Sequence, residues 1–425
     1  MDVFACSFVQ TPIFCMHSII GVQLWSAHPK LSAKIMISRL LELPDDESFF
    51  LFGPRGAGKT TWLKSQRWFE NALYINLLLA TEESRFTKSP DELIEIVRAL
   101  PEKITHVIID AVQKIPKLLD IVHELIETTT IHFVLTGSSA RKLKYGGANL
   151  LAGRAFVYDL HPFVFSEIKD QFELMDSLQW GMLPKIKEYG TIEKKKRYLY
   201  AYTTTYLKEE IWAEQFIKKL DPFRYFLEVA AQSNGKLINF SNIAKDVGCD
   251  IKTIQNYFTL LEDTLLGFFL PAFQHSFRKR LSKTPKFYFF DPGVVRALSG
   301  LLSLPLKEST SHYGEVFEHF IILQCKFLAS YFYPDYKFSY LKTKDDAEID
   351  LVVERPGQPI LFIEIKSTDH IQEHHLSTLK SLSQDIENCE AVCFSRDPYA
   401  KKIDNIRMLP WAEGIQLYFG QPRAL

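Results

Sequence analysis

"LFGPRGAGKTT", residues 51–61, is the stretch on which the reading of the chain turns. An apolar run ends at Gly53, a glycine-rich loop follows, and Lys59, Thr60 and Thr61 open a helical pattern. Gly53 to Thr60 fit G-x-x-x-x-G-K-[ST], in which glycines let backbone N–H groups close around phosphates at a helix N-terminus. Gly53, Pro54, Arg55, Gly56, Ala57, Gly58, Lys59, Thr60 and Thr61 are therefore the expected nucleotide cradle. Lys59 would reach the β- and γ-phosphates of ATP, and the Thr60 hydroxyl would ligate Mg²⁺. The motif carries weight only between a strand and a helix, and that is where it stands.

Outward from the loop, short apolar runs alternate with helical periods from 48 to about 160. "SFFLFG", "ALYINL", "HVIIDAV", "HFVLTGSS" and "FVYDL" read as strands. "SPDELIEIVRAL" reads as a helix starting at Ser89 or Asp91, and "PKLLDIVHELIE" as one with Pro116 in its first turn. Continuous apolar strands between helices mean a parallel sheet covered on both faces. Asp110 ends the third strand and is the expected Mg²⁺ partner; a strand-end aspartate capping a turn is the plainer alternative. Thr136 or Ser138 in "LTGSS" would sense the γ-phosphate, unless they merely end a strand. Arg154 precedes the last strand, and an arginine supplied by a neighbouring subunit speeds phosphoryl transfer by about 10³–10⁵. Arg141 competes for that role, and a solvated surface arginine is the alternative for each.

Beyond 161 the pattern is helical. "INFSNIAKDVGCDIKTIQNYFTLL" has helix-turn-helix spacing, with Ser241 as a cap and Gly248 in the turn. "FRKRLSKTPKFYFFDPG" adds a basic hairpin, so the unit reads as a winged helix. Lys252, Gln255 and Asn256, with Arg278, Lys279, Arg280, Lys283 and Lys286 of the hairpin, would form a patch for the phosphate backbone of DNA. Leu260, Leu261, Leu265 and Leu266 weave this unit into a core, which suits a docking module equally.

A second constellation lies near the C-terminus. Asp350 in "EID" and Glu364 and Lys366 in "EIK" fit the D…E-x-K core of metal-dependent nucleases. Glu364 and Lys366, two apart on one strand, point to one face. Asp350 on a paired strand would join Glu364 to hold Mg²⁺, with Lys366 activating water beside a phosphate. Glu318, on the preceding helix, would complete the acidic set. Surface ion pairs are the alternative. His370, His374 and His375 crowd a solvated helix end and are not read as a zinc site.

The bulk numbers set limits. The chain has 425 residues, 47% of them hydrophobic, with 50 Lys plus Arg against 51 Asp plus Glu. No global field recruits nucleic acid or membrane, so such contacts must be local. Six scattered cysteines without a CxxC pair indicate a reducing, cytoplasmic compartment. Residues 1–35 lack the charge pattern of a signal peptide and are read as a poorly ordered extension, or as lying outside the natural reading frame. No membrane span is expected.

The motif series "LFGPRGAGKTT", "IIDAVQKIPKLL", "VLTGSSARKL", "LAGRAFVYDLHPFVFSEI", "KFYFFDPGV", "GEVFEHFI", "EIDLVVE" and "FIEIKS" resembles the prokaryotic AAA-type, archaeal-ATPase-like proteins. Those carry a C-terminal domain of unknown function of restriction-endonuclease-like, PD-(D/E)xK type. The resemblance covers about 36 to 420. It implies an α/β P-loop NTPase sheet, then a helical and winged-helix region, then a small restriction-endonuclease-like α/β domain. The chain so divides into an extension 1–35, an AAA-type core 36–165, a helical linker with winged helix 166–300, and a nuclease-like domain 301–425. One departure matters: the family pattern has an acid after the strand-end aspartate, and this chain has Ala111. A methyl group cannot take a proton, and losing a positioned general base costs about 10²–10⁴ in rate. Gln113 would share Ala111's face if the strand continued, but it is read as a satisfied loop glutamine. The expectation is an ATP-binding protein with Mg²⁺ and impaired hydrolysis, coupled to a nuclease-like domain that engages DNA. A nucleotide-regulated, metal-dependent endonuclease is one alternative. A non-hydrolysing switch acting through homo-oligomer assembly is the other.

Overall fold

Five short strands build the first sheet: β1 Phe49–Phe52, β2 Ala72–Asn76, β3 His106–Asp110, β4 His132–Gly137 and β5 Phe156–Asp159. The computed structural model describes residues 37–138, 151, 153–206, 220–273, 284–343, 346–384 and 386–422. Arg141, the hairpin residues Arg278, Lys279, Arg280 and Lys283, and residues 1–35 lie outside them. The strand order is β2-β3-β4-β1-β5, with every pairing parallel. Side chains alternate across each strand, which separates two cores. Phe50, Ile75, Val107 and Leu135 pack under the helices Ala80–Lys88, Glu92–Arg98 and Leu118–Thr128. Phe49, Leu51, Ile108 and Val134 pack on the other face against Trp62, Leu63 and Trp68. The chain leaves β1 in mid-sheet and returns at the far edge as β2. The C-terminal ends of β1, β3 and β4 therefore border a crevice of the kind in which α/β sheets bind ligands.

Three short helices follow, Leu174–Trp180, Pro184–Glu188 and Ile192–Ala201, the last running into a π turn at Tyr202–Tyr206. Next come Leu220–Gln232, Phe240–Val247 and Ile251–Asp263, then an antiparallel pair, β6 Gly267–Leu270 and β7 Lys286–Phe289. Asn239, not Ser241, caps Phe240–Val247: its side chain accepts from Asn242 N at 3.1 Å. Asp250 caps the next helix through Thr253 N at 2.8 Å. Gly248 between them takes φ 72°, a left-handed value that favours glycine.

A helix of 22 residues, Ser311–Phe332, leads into a six-stranded mixed sheet. Its strands are β8 Lys337–Lys342, β9 Glu348–Glu354, β10 Ile360–Lys366, β11 Cys389–Ser395, β12 Lys401–Ile403 and β13 Ile406–Pro410, in the order β12-β13-β11-β10-β9-β8. The long helix and Trp411–Phe419 cover one face, and Ser377–Gln384 covers the other. One apolar core takes in Phe163 and Phe165 from after β5, Phe268 and Tyr288 of the β6–β7 pair, and Phe317 and Phe320 of the long helix. Among the described residues no helix is long and apolar enough to cross a membrane.

Candidate functional site

The loop after β1 is shaped by glycine. Gly56 and Gly58 take φ 80° and 96°, values an L side chain rarely adopts. Turns of this kind aim successive N–H groups inward to make an anion-binding nest. Lys59 Nζ reaches back across the loop to the carbonyls of Gly53 at 2.6 Å and Pro54 at 3.3 Å. Arg39 braces the loop from outside, donating to Ala57 O at 3.0 Å and to Glu167 Oε1 at 3.0 Å. A cavity of ≈ 520 Å³ opens over the loop, lined by Arg55, Gly56, Gly58, Lys59, Thr60 and Thr61. That volume suits a small-molecule ligand. Gly53 and Pro54 form the loop's base, and Ala57 is wholly buried within it.

Asp110 stands at the end of β3, 9% exposed. Its Oδ2 accepts from Thr60 Oγ1 at 3.1 Å and from Tyr74 OH at 2.5 Å. Its Oδ1 accepts from Thr136 Oγ1 across the β3–β4 pair. Thr136 therefore holds Asp110, and Ser138, one strand-end further, lines the cavity. Thr60 and Asp110 sit together as a hydroxyl–carboxylate pair, a donor set that suits a hard cation such as Mg²⁺. Tyr74 was not singled out from the sequence; burial and Asp110 together drive its phenol pKa far up, so it serves only as a donor. Its one sequence signal is its place on β2, the strand beside β3.

Directly after Asp110 the strand stops. Ala111 takes φ 65°, and a 3₁₀ turn, Val112–Lys114, begins. Gln113 does not reach the cavity by strand alternation, since there is no strand. The turn carries it there, beside Ala111 and Ser138. Its Nε2 donates to Ser138 Oγ at 3.3 Å, while its Oε1 is buried without a partner among the described residues. The expectation of a satisfied loop glutamine fails on that oxygen. Among the described residues no acidic side chain takes the place of the absent one at 111: the carboxylates lining the cavity are those of Asp110 and of Glu188 in the helical segment.

That segment roofs the cavity. Pro184, Lys185, Tyr189, Tyr198 and Tyr202 line it from above, and Tyr202 OH donates to Arg55 O at 2.9 Å. Arg154 lies elsewhere, on the surface, paired with Glu127.

The C-terminal carboxylates gather where β9 meets β10. Asp350 Oδ2 accepts from Ile365 N at 2.7 Å, and Glu364 Oε1 from Lys366 Nζ at 2.5 Å. Burial and the neighbouring Glu364 and Glu318 carboxylates raise the Asp350 pKa well above the usual range. Glu364 Oε2 is buried and unanswered among the described residues, which a cation would remedy. Glu318, however, accepts from Tyr288 OH at 2.8 Å and lies 3.5 Å from Lys286 Nζ. Lys286 also pairs with Glu348 at 2.5 Å and is only 4% exposed. The basic residue expected to face DNA from the hairpin is thus buried against acids of the C-terminal unit. No group of three His, Cys, Asp or Glu placed to hold a metal occurs among the described residues. Asp350 and Glu364 fit a cation as a pair, and Glu318 is engaged by Lys286 and Tyr288.

A parallel sheet in this order, with a glycine-rich cradle after β1 and an aspartate closing β3, defines a P-loop nucleotide-binding ATPase unit. Residues 45–169 match the AAA domain family, and this part of the chain is an AAA-type P-loop ATPase domain. Residues 171–304 and 313–413 match two domains of unknown function, DUF8612 and DUF4143. Uncharacterized proteins of Mycobacterium bovis and Mycobacterium tuberculosis are each 25% identical over 326 residues, covering 75% of this chain and 70% of the relative. The Aeropyrum pernix ORC1 protein, solved in complex with DNA, aligns at 12% identity with a TM-score of 0.24, over 62% of this chain and 87% of that one.

Proposed function

We propose that the chain holds Mg-ATP in the cradle after β1, hydrolyses it slowly, and uses the bound state to set the posture of its C-terminal units. The observation that carries this reading is Ala111, set in the cavity wall where a water-activating acid would stand. Thr60 and Asp110 would hold Mg²⁺, which when bound neutralises phosphate charge. Lys59 would leave the Gly53 and Pro54 carbonyls to meet the β- and γ-phosphates. Gln113 Oε1, held by the Ser138 contact, would accept from water and orient it, as a glutamine does in some GTPases. An oriented water without a base supports turnover, but slow turnover. Binding of a fluorescent ATP analogue with Mg²⁺ tests the first step. Lys59→Ala is expected to abolish it; undiminished binding in that variant would remove the cradle from the account.

The unpartnered Glu364 Oε2 beside Asp350 favours a second reading, a nucleotide-regulated, metal-dependent endonuclease with Lys366 as the water-orienting group. Incubation with plasmid and Mg²⁺ or Mn²⁺ tests it. Cleavage lost in Lys366→Ala would support it, and no cleavage by the wild type would end it. In either reading the exposed Lys252, Gln255 and Asn256 of the helix Ile251–Asp263 are the surface for DNA, and Arg154 is the group offered to a second copy.

A further inference from the structure

Between the helical unit and the long helix lies a buried cation that no acid answers among the described residues. Arg296, in the helix Pro292–Leu298, is 1% exposed. Its Nη2 donates to Leu301 O at 2.8 Å and Leu304 O at 2.6 Å, and its Nη1 to His312 Nε2 at 2.9 Å. Its Nε has no partner among the described residues. Burial lowers its pKa with no carboxylate to offset the effect. A charge removed from water is costly unless a counter-charge meets it, and backbone carbonyls supply only part of one. A guanidinium has five N–H donors, so Nε–H and one Nη1–H are left over.

Arg296 lines a cavity of ≈ 340 Å³ that also takes in Asn234, Lys236, His312 and Glu315. Lys236 is exposed at its rim, held to Gln232 O at 3.2 Å. Burial and the Arg296 charge, with a smaller share from Lys236, lower the His312 pKa against the pull of Glu315. His312 belongs to the first turn of the helix Ser311–Phe332, whose side-chain cap is Thr310, and Glu315 follows in its second turn. The unbonded Arg296 Nε–H and, through His312, the positive end of a long helix therefore border the same space. Two cations and a helix N-terminus stand against one carboxylate, that of Glu315, itself half exposed.

We infer that this cavity is an anion site for a phosphate monoester, held by Arg296 and Lys236 at the N-terminus of the long helix. Its volume is at the small end of ligand pockets, which suits a compact phosphate compound or the 5′-phosphate end of a nucleic acid strand. The site is separate from the nucleotide cradle and does not rest on that reading. The test uses the full chain carrying Lys59→Ala, so that the cradle does not report, and titrates inorganic phosphate calorimetrically. One saturable site is expected, and adding Lys236→Glu weakens it by about tenfold or more, the scale of one lost charge-assisted contact. Because Lys236 is on the surface, this variant tests the site without touching the buried arginine. No saturable binding, or equal affinity in Lys236→Glu, would overturn the inference and leave Arg296 as a clamp on the Leu301 and Leu304 carbonyls. A short oligonucleotide with a 5′-phosphate, compared with its 5′-hydroxyl twin, separates the two sources. A Lys236-dependent preference for the phosphorylated strand identifies a nucleic acid end, and equal weak binding of both strands identifies a free phosphate compound.

Discussion

Ala111 is a non-glycine residue in a left-handed conformation, 4% exposed, at the point where β3 gives way to a turn. The turn decides which side chains meet the cavity. Substituting Ala111→Glu restores an acid beside Asp110, and turnover is expected to rise by about 10²-fold or more. Gln113→Ala removes the unpaired Oε1 and is expected to lower the residual rate, measured by steady-state phosphate release. Tyr74 makes a separate prediction: Tyr74→Phe removes one of three hydroxyls on Asp110 and should cost about 0.5–1.5 kcal/mol of stability in urea unfolding. A loss of several kcal/mol would mean the phenol does more than donate one bond. The cradle and Asp110 were legible in the sequence because their spacing is fixed by phosphate chemistry. Tyr74 and Arg39 were not, because each acts across tens of residues of chain, and no local pattern marks a side chain that meets its partner only after folding.

Strands were easier to read than helices. β1, β3 and β4 are apolar runs buried at nearly every position, and their composition announces that. Ala80–Lys88 was missed because Phe86 is its only buried residue, too little for an apolar period. β8, β12 and β13 were missed because they are short or half-exposed strands towards the sheet edges, with polar residues interleaved. Within β3, His106 is 2% exposed and stacks on Trp68 with ring centroids 4.3 Å apart. Burial, followed by the nearby His132, pushes its pKa down to about 4, against an opposing pull from Asp45. The folded chain thus favours the neutral ring. Its stabilising share is complete above pH 6.5 and is lost as pH falls from there towards 4, at up to about 1.4 kcal/mol per pH unit. Urea midpoints measured between pH 7 and pH 5 should fall, and His106→Phe should flatten that slope. An unchanged slope in the variant would place the acid sensitivity elsewhere.

At the scale of the molecule, the segment after β5 joins the cradle to the C-terminal unit. The Glu167 side chain is fully buried, paired with Arg39, and also accepts from Leu40 N and Val164 N at 2.9 and 3.0 Å. The same segment stacks His161 on Phe327 and bonds Phe165 N to Gln324 Oε1 at 2.7 Å, both partners on the long helix. Breaking the buried pair with Glu167→Ala leaves Arg39 uncompensated and should cost about 3–5 kcal/mol. Hydrogen exchange in residues 160–168 and 311–332 should slow when Mg-ATP binds; exchange that ignores nucleotide would disconnect the two ends. This wiring was not legible beforehand, since the sequence presents the units in series. Lys286 shows the consequence. In a basic stretch it reads as a DNA contact, yet the fold buries it between Glu318 and Glu348.

The central claim, a site that holds Mg-ATP but lacks the group that activates water, is tested most directly by steady-state ATP hydrolysis at saturating nucleotide. Wild type, Lys59→Ala and Ala111→Glu are compared with and without DNA. The account predicts slow turnover in the wild type, none in Lys59→Ala and a clear rise in Ala111→Glu. Fast wild-type turnover that Ala111→Glu leaves unchanged would contradict it.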